Sequence, residues 1–170
     1  TAPENVAWIL NIRGYDTVFS PIPNARILIN SNGNIDIFSN KEKISKIKKI
    51  YNKNIKFLEE KKIGKKLVSL YKNNIWLDSF SCSIYFKNLL KRKNKIIEEI
   101  DPIYFLKSIK NPLEIENMKK THVIDGVALT KFLFWLKKNF KKRKITEISA
   151  QKKLENFRKI NKNYKFPSFS

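Results

Sequence analysis

The sequence predicts an α/β fold, and three observations support this prediction. Short apolar runs typical of strands alternate with helical patterns through the first hundred or so residues. The dipeptide Asn32-Gly33 separates two of these runs, which is the usual arrangement of a β-hairpin. From Asn111 onward the apolar residues follow a sustained helical period. We therefore expect a mixed sheet with helices against it, followed by a helical region.

The first part of the chain shows both periods. An apolar run at 8–12 ends at a polar loop, 13–23, and the Asn32-Gly33 turn supplies the positive φ angles of the hairpin. Isoleucines recur every third residue in 41–51 and indicate one face of a helix, whereas 64–70 is ambiguous. Further elements are expected as strands at 26–30, 35–38, 54–58, 75–77 (buried) and 95–100, and as a helix within 81–92.

The second part begins after a domain boundary that we place near residues 101–107. Asn111-Pro112 is a typical helix start, with asparagine as the cap and proline in the first turn, and the helix should end near Phe140. Thr146-Glu147 opens another helix, which fades by Asn161.

Composition excludes several classes of protein. With 170 residues and 42% hydrophobic residues, the chain can bury a core. No apolar run reaches the roughly 20 residues of a membrane span, and the first residues do not resemble a signal peptide. Cys82 is the single cysteine, so no internal disulfide forms, and a cytoplasmic location with a buried or half-buried thiol is expected.

The net charge of +21 allows two interpretations. A basic chain can bind nucleic acid, and the lysines near Tyr85 and Phe86 combine charge with stacking groups. However, lysine greatly outnumbers arginine, and phosphate recognition with defined geometry favours arginine. Solvated lysines are our primary interpretation, with no specific nucleic acid and no membrane as partner. A lysine-rich, non-catalytic binding or assembly module that contacts nucleic acid is the alternative.

Candidate catalytic groups are few. His122 and Asp125 lie one helical turn apart, but a zinc site takes three or four ligands, so helix side chains bonded to neighbours are the simpler interpretation. Asp78 and Asp101 could act as an acid and a base, although their neighbours indicate strand ends. No Gly-x-Ser-x-Gly pattern and no glycine-rich phosphate loop is present in the sequence. We therefore assign no catalytic residue and no metal ligand to this chain.

Several strings, in order, resemble the three-domain aminopeptidases P, which are Xaa-Pro aminopeptidases of the pita-bread (creatinase) metallopeptidase superfamily. Residues 1–16, TAPENVAWILNIRGYD, and residues 106–129, LKSIKNPLEIENMKKTHVIDGVAL, are similar to two segments of that family. Residues 146–158 and 166–170 resemble the following helix and strand. The positions that match the family patterns are Trp8, Asn11, Arg13, Gly14, Asp16, Lys107, Lys110, Asn111, Glu114, Met118, His122, Asp125 and Ala128.

The resemblance implies two domains. Residues 1–105 would be a second creatinase-type, ribonuclease-H-like α/β domain that is incomplete at its start. Residues 106–170 would be the opening helices of a truncated pita-bread α+β catalytic domain. The expected activity of the whole enzyme is removal of the N-terminal residue from peptides with proline in second position, with two divalent metal ions, commonly manganese. Expected partners are proline-containing peptides, and a homodimer is a further expectation.

The resemblance also implies that the family's metal ligands lie beyond Ser170, so the fragment alone is expected to bind no metal and to be inactive. His122 and Asp125 match helix positions of the family that are not ligands. Arg13 and Asp16 are our candidate substrate-binding residues, and a structural salt bridge is the alternative role. Without the rest of its domain, the helical region is expected to leave Phe132, Trp135, Leu136 and Phe157 partly exposed.

Overall fold

The structure, a computed structural model, describes residues 2–47, 54–142 and 144–167. It separates into two compact units, Thr1–Ser108 and Ile109–Ser170. The first unit is a mixed α/β structure, and the two long elements of the second unit are helices. The elements of the first unit are α1 (Pro3–Ile9), β1 (Arg26–Ile29), β2 (Ile35–Ser39), α2 (Lys41–Ile47), β3 (Ile55–Glu59), α3 (Ile63–Ser69), β4 (Asn74–Leu77), α4 (Ile84–Lys91), β5 (Lys95–Glu98) and α5 (Pro102–Ser108).

The strands of the first unit form two small sheets. In one sheet β2 lies in the centre, antiparallel to β1 and parallel to β3. In the other sheet β4 and β5 pair in parallel, with Leu77 opposite Glu98. The predicted mixed sheet is therefore present over β1–β3, and the last two strands are separate from it within the described residues.

The β1–β2 hairpin has a turn that differs from the one predicted. The amide of Gly33 donates to the carbonyl of Asn30, and the amide of Asn30 donates to the carbonyl of Asn34. Only Gly33, with φ of 82°, has a positive φ in this turn, so Asn32 does not adopt the positive φ that was predicted for it. This is a three-residue loop in which glycine alone takes the left-handed position.

Two small apolar cores stabilise the first unit. Val6 of α1 and Leu10, which directly follows α1, pack with Ala25 and Ile37 against one face of the three-stranded sheet. Leu67 of α3, Leu77 of β4 and Leu90 of α4 form the second core. Each core is a helical surface packed on a sheet face, which is the layered arrangement that the alternating pattern predicts.

The predictions for 41–51, 64–70 and 75–77 have three different outcomes. The helix predicted over 41–51 is observed as α2, and its remainder lies outside the described residues. The ambiguous stretch at 64–70 is mainly the helix α3. The interpretation of 75–77 as a buried strand is wrong for Trp76, whose surface is 55% exposed, because Ile75 and Leu77 face the core and the alternate position faces outward.

In the second unit, the two predicted helices are present as α6 (Pro112–Asn139) and α7 (Glu147–Lys159), and they are in contact. Asn111 caps α6 in a capping box with Glu114, and Thr146 caps α7 in a capping box with Ser149. Both predicted helix starts are confirmed. Ala128 is buried, whereas many apolar side chains of α6, including Val123, Leu133 and Phe134, are more than half exposed.

Candidate functional site

Polar side chains gather near the end of the parallel β4–β5 pair. Asp78 follows β4 directly, and Asp101 follows β5 at the start of α5; both are buried. In α/β proteins, ligands bind where parallel strands end at their carboxyl edge. We call Glu4, Asn5, Asp78, Asp101, Tyr104 and Lys107 the carboxyl-edge cluster.

Asn5 lies at the centre of this cluster, and its side chain is completely buried. Its amide nitrogen donates to Asp101 Oδ2 at 3.0 Å, and its amide oxygen accepts from Lys107 Nζ at 2.7 Å. The neutral side chain of Asn5 thereby links the carboxylate of Asp101 to the ammonium group of Lys107. Because both hydrogen bonds involve a charged partner, they are stronger than neutral ones, and they hold α1 against α5.

Tyr104 extends the cluster towards Glu4. Its hydroxyl lies 3.4 Å from Glu4 Oε1, and the ammonium of Lys107 lies 4.5 Å from the centre of its ring. Burial, and then the negative charges of Glu4, Asp78 and Asp101, raise the pKa of Tyr104 above its ordinary value. The phenol therefore keeps its proton at neutral pH.

The two aspartates hold backbone in place. Asp78 accepts from the amide of Phe80 at 3.0 Å and from the hydroxyl of Ser81 at 2.9 Å, which shapes the turn before α4. Asp101 also accepts from the amide of Ile103 at 2.9 Å, which caps α5. These contacts agree with the strand-end interpretation of both residues. The cluster is a positioning network that orients α1, α5 and the loop after β4.

Arg13 contributes to the end of α1. Asn11 has φ of 48°, and the amides of Asn11 and Ile12 donate back to the carbonyls of Trp8 and Ala7, which is a Schellman termination. Arg13 Nη1 then donates to the carbonyls of Ala7 at 3.2 Å and Ile12 at 2.9 Å. The guanidinium thus adds a second donor to the Ala7 carbonyl, which already accepts from Ile12, and binds the Ile12 carbonyl just beyond the helix.

Asp16 connects the loop after α1 to two other segments. Its carboxylate accepts from the amide of Asn24 at 2.6 Å and pairs with Lys43 of α2 at 2.5 Å. The Lys43 hydrogen bond, followed by that of Asn24, keeps the pKa of Asp16 below its ordinary value. Arg13 and Asp16 therefore share one loop, and each has a structural role of its own. Their contact with substrate stays a prediction.

Asp125, which the sequence pairs with His122 as a possible metal site, binds an arginine through its carboxylate. The carboxylate of Asp125 accepts two hydrogen bonds from Arg158, one from Nε at 2.6 Å and one from Nη2 at 3.0 Å. These bonds lower the pKa of Asp125, and the charge of His122 adds only a smaller effect. His122 is exposed on α6. Asp125 thus behaves as the simpler interpretation expects, as a helix side chain bonded to a neighbour.

Across residues 2–47, 54–142 and 144–167, no group of three or more histidine, cysteine, aspartate or glutamate side chains is placed to hold a metal ion. No helix in the same ranges is both long and apolar enough to cross a membrane. Cys82 is half-buried, and burial raises the pKa of its thiol above the ordinary value.

Part of the carboxyl-edge cluster could not be predicted from the sequence. No local sequence pattern marks Asn5 or Tyr104, and the predicted domain boundary near 101–107 falls on α5. The signal was present in Asp101-Pro102, a capping residue followed by proline, which is the same pattern that located the start of α6. The contacts of Asn5 could not be found in this way, because its partners lie 96 and 102 residues away.

The first unit is an α/β domain whose sequence matches a known family. Residues 1–114 match the creatinase/prolidase N-terminal domain, and the chain belongs to that family. The match includes α1, both sheets and α5, and therefore every residue of the carboxyl-edge cluster.

Among characterised proteins, the chain is similar to Xaa-Pro aminopeptidases. It is 33% identical to Xaa-Pro aminopeptidase ApepP of Drosophila melanogaster over 178 residues, which cover 100% of this chain and 28% of that protein. It is 30% identical to Xaa-Pro aminopeptidase 1 of Dictyostelium discoideum over 184 residues, 99% of this chain and 28% of that protein. The chain thus spans little more than a quarter of the length of these relatives.

Proposed function

We propose that this chain is part of a metal-dependent aminopeptidase that removes the N-terminal residue from peptides with proline in second position. The observation that carries the proposal is the similarity to Xaa-Pro aminopeptidases along the whole chain, at 33% identity to the Drosophila protein. The family match over 1–114 supports the same origin independently of any single relative.

The proposal assigns a role to each part of the chain. Residues 1–105 would form the ribonuclease-H-like domain next to the catalytic domain, and residues 106–170 would supply the first helices of the pita-bread domain. The exposed apolar side chains of α6 fit this role, since helices that cover a larger domain need one apolar face. Phe132, Trp135, Leu136 and Phe157 are half-buried.

The metal ions would be held by other residues of the enzyme. Paired manganese ions would activate a water molecule for attack on the peptide carbonyl. The described residues of this chain do not form a group fitted to hold them, so we assign no step of the reaction to this chain. The single cysteine supports a cytoplasmic location as part of the proposal.

A chimera tests the proposal. The aligned segment of the Drosophila Xaa-Pro aminopeptidase would be replaced by this chain, and release of the first residue from an Xaa-Pro peptide would be measured with manganese. We expect metal-dependent release by the chimera and none by this chain alone. Cleavage by the chain alone, or a chimera that folds and binds manganese without releasing the residue, would contradict the proposal.

The same chimera tests the two candidate substrate-binding residues. We propose that Arg13 and Asp16 lie near the peptide, and Arg13→Lys and Asp16→Asn keep most of each side chain's size. Substrate contact predicts a KM raised about threefold to tenfold by either change, as expected for loss of a charged hydrogen bond. A purely structural role predicts a lower melting temperature with KM unchanged. Lys56→Gln on β3 is the control, because its exposed side chain lies outside the loop.

A further inference from the structure

A pocket of about 330 Å³ lies in the second unit, where α6 ends and α7 begins. Its volume is within the range of about 300–1,000 Å³ that small-molecule sites usually have. Ser149, at the start of α7, is part of its wall. The other residues that line it are Trp135, Lys144, Ile145, Lys152, Lys153 and Asn156.

Three lysines and no acidic residue line this pocket. Six lysines in the described ranges pair with carboxylates, as Lys66 does with Asp36 at 2.8 Å. Lys144 and Lys152 make no ion pair with any carboxylate in the described ranges, and Lys153 lies instead over aromatic rings. Like charges that share one cavity repel each other, and a bound anion would relieve that repulsion.

The wall of the pocket is apolar as well as basic. Trp135 and Ile145 contribute apolar surface, and Lys153 Nζ lies 5.6 Å from the centre of the Trp135 ring. Phe132 stacks on Trp135 with ring centres 6.0 Å apart, which holds the indole in place. A rigid aromatic group beside several ammonium groups suits a ligand that has both a flat ring and phosphate groups. The amide of Asn156 adds a neutral donor and acceptor.

We propose that this pocket binds a nucleoside phosphate, with the phosphates on Lys144, Lys152 and Lys153 and the base against Trp135 and Ile145. A free nucleotide and a nucleotide unit of single-stranded nucleic acid have the same chemistry at this site. Because lysines give charge without a fixed geometry, we expect little preference among bases. This binding is separate from the proposed peptidase role.

Binding to the full chain tests the proposal. ADP, inorganic phosphate and a labelled oligothymidylate would be titrated separately, with ADP and phosphate followed by calorimetry and the oligothymidylate by fluorescence anisotropy. We expect ADP or the oligothymidylate to bind, and inorganic phosphate to bind at least about tenfold more weakly than the better of the two, because it lacks a ring to stack. If ADP binds and competes with the oligothymidylate, the free nucleotide is a ligand. If only the oligothymidylate binds, the ligand is a nucleic acid strand.

A matched pair of variants separates the pocket from general charge. Lys152→Gln/Lys153→Gln removes two pocket lysines, and Lys119→Gln/Lys162→Gln removes two exposed lysines of the same unit that do not line the pocket. We expect the first to weaken binding about tenfold and the second less than about twofold, with the same helical content by circular dichroism. Equal losses in both variants, no binding of ADP or the oligothymidylate, or equal affinity for phosphate and ADP would overturn the proposal.

Discussion

Asp125 and Arg158 form a two-point ion pair that joins α6 to α7. The guanidinium presents two nitrogens to the two carboxylate oxygens, at 2.6 and 3.0 Å, so the pair has a fixed orientation as well as a charge. Both side chains are partly exposed, at 36% for Arg158 and 46% for Asp125. Solvent therefore weakens the attraction between the two charges. A pair with two hydrogen bonds still stabilises the fold more than an exposed pair with a single contact.

Replacing Asp125 by asparagine should destabilise the second unit. The amide keeps the shape but loses the charge, and we expect a loss of about 0.5–1 kcal/mol in the free energy of unfolding at neutral pH, after allowance for solvent screening. Urea unfolding followed by circular dichroism measures this. Glu116→Gln is the control: it breaks the exposed Glu116–Lys120 pair within α6, and no measurable change is expected.

The contribution of Asp125 should disappear at low pH. Its pKa is lowered in the folded chain, so the unfolded chain binds the proton first as the pH falls. The stabilisation is therefore complete above the ordinary aspartate pKa of about 3.9 and is lost as the pH falls through the lower folded value. The difference between the parent and Asp125→Asn should shrink over that interval. A difference that stays constant down to acidic pH would show that the charge is not its cause.

Asn5 should be among the most sensitive positions of the first unit. Asn5→Ala leaves Asp101 and Lys107 each without one buried partner, and we expect a loss of about 2–3 kcal/mol in the free energy of unfolding. The measurement is the urea midpoint with the slope held constant. Asn88→Ala on the exposed face of α4 is the control and should change the stability by less than about 0.5 kcal/mol. Equal effects at both positions would show that the network around Asn5 adds nothing.

Local signals explain how much of the fold could be predicted. Asn111-Pro112 and Thr146-Glu147 carry their helix caps within three residues, so the starts of α6 and α7 were predicted correctly. The hairpin was found for the same reason, although its turn geometry was not. Short apolar runs also located the five strands of the described residues, because such runs are a property of neighbouring residues.

Long-range contacts explain what could not be predicted. The pairing of Asn5 with Asp101 and Lys107 joins positions about a hundred residues apart, and no local pattern marks it. Asp125 was recognised as a helix residue, but its partner Arg158 lies 33 residues away. Trp76 was expected to be buried because it lies in the apolar run 75–77, whereas only one face of β4 meets a core. Local sequence patterns thus predict the helices and strands more readily than the cluster that joins them.

Gly14 and Gly126 should respond in opposite directions to the same substitution. A methyl group on Gly14 would lie 2.7 Å from Cα of Pro23 and 2.9 Å from its Cβ, and proline cannot move aside without shifting the loop. Gly14→Ala should therefore lower the free energy of unfolding by about 1–3 kcal/mol. Gly126 lies inside α6 with open space around the added methyl group, so Gly126→Ala should raise the stability of the second unit by about 0.5–1 kcal/mol through its higher helix propensity.

Thermal unfolding of both variants, with amide hydrogen exchange to assign each change to its unit, tests the pair. A neutral Gly14→Ala would mean that the loop is free to move away from Pro23, and the structural role assigned to Arg13 and Asp16 in holding that loop would then lose its support.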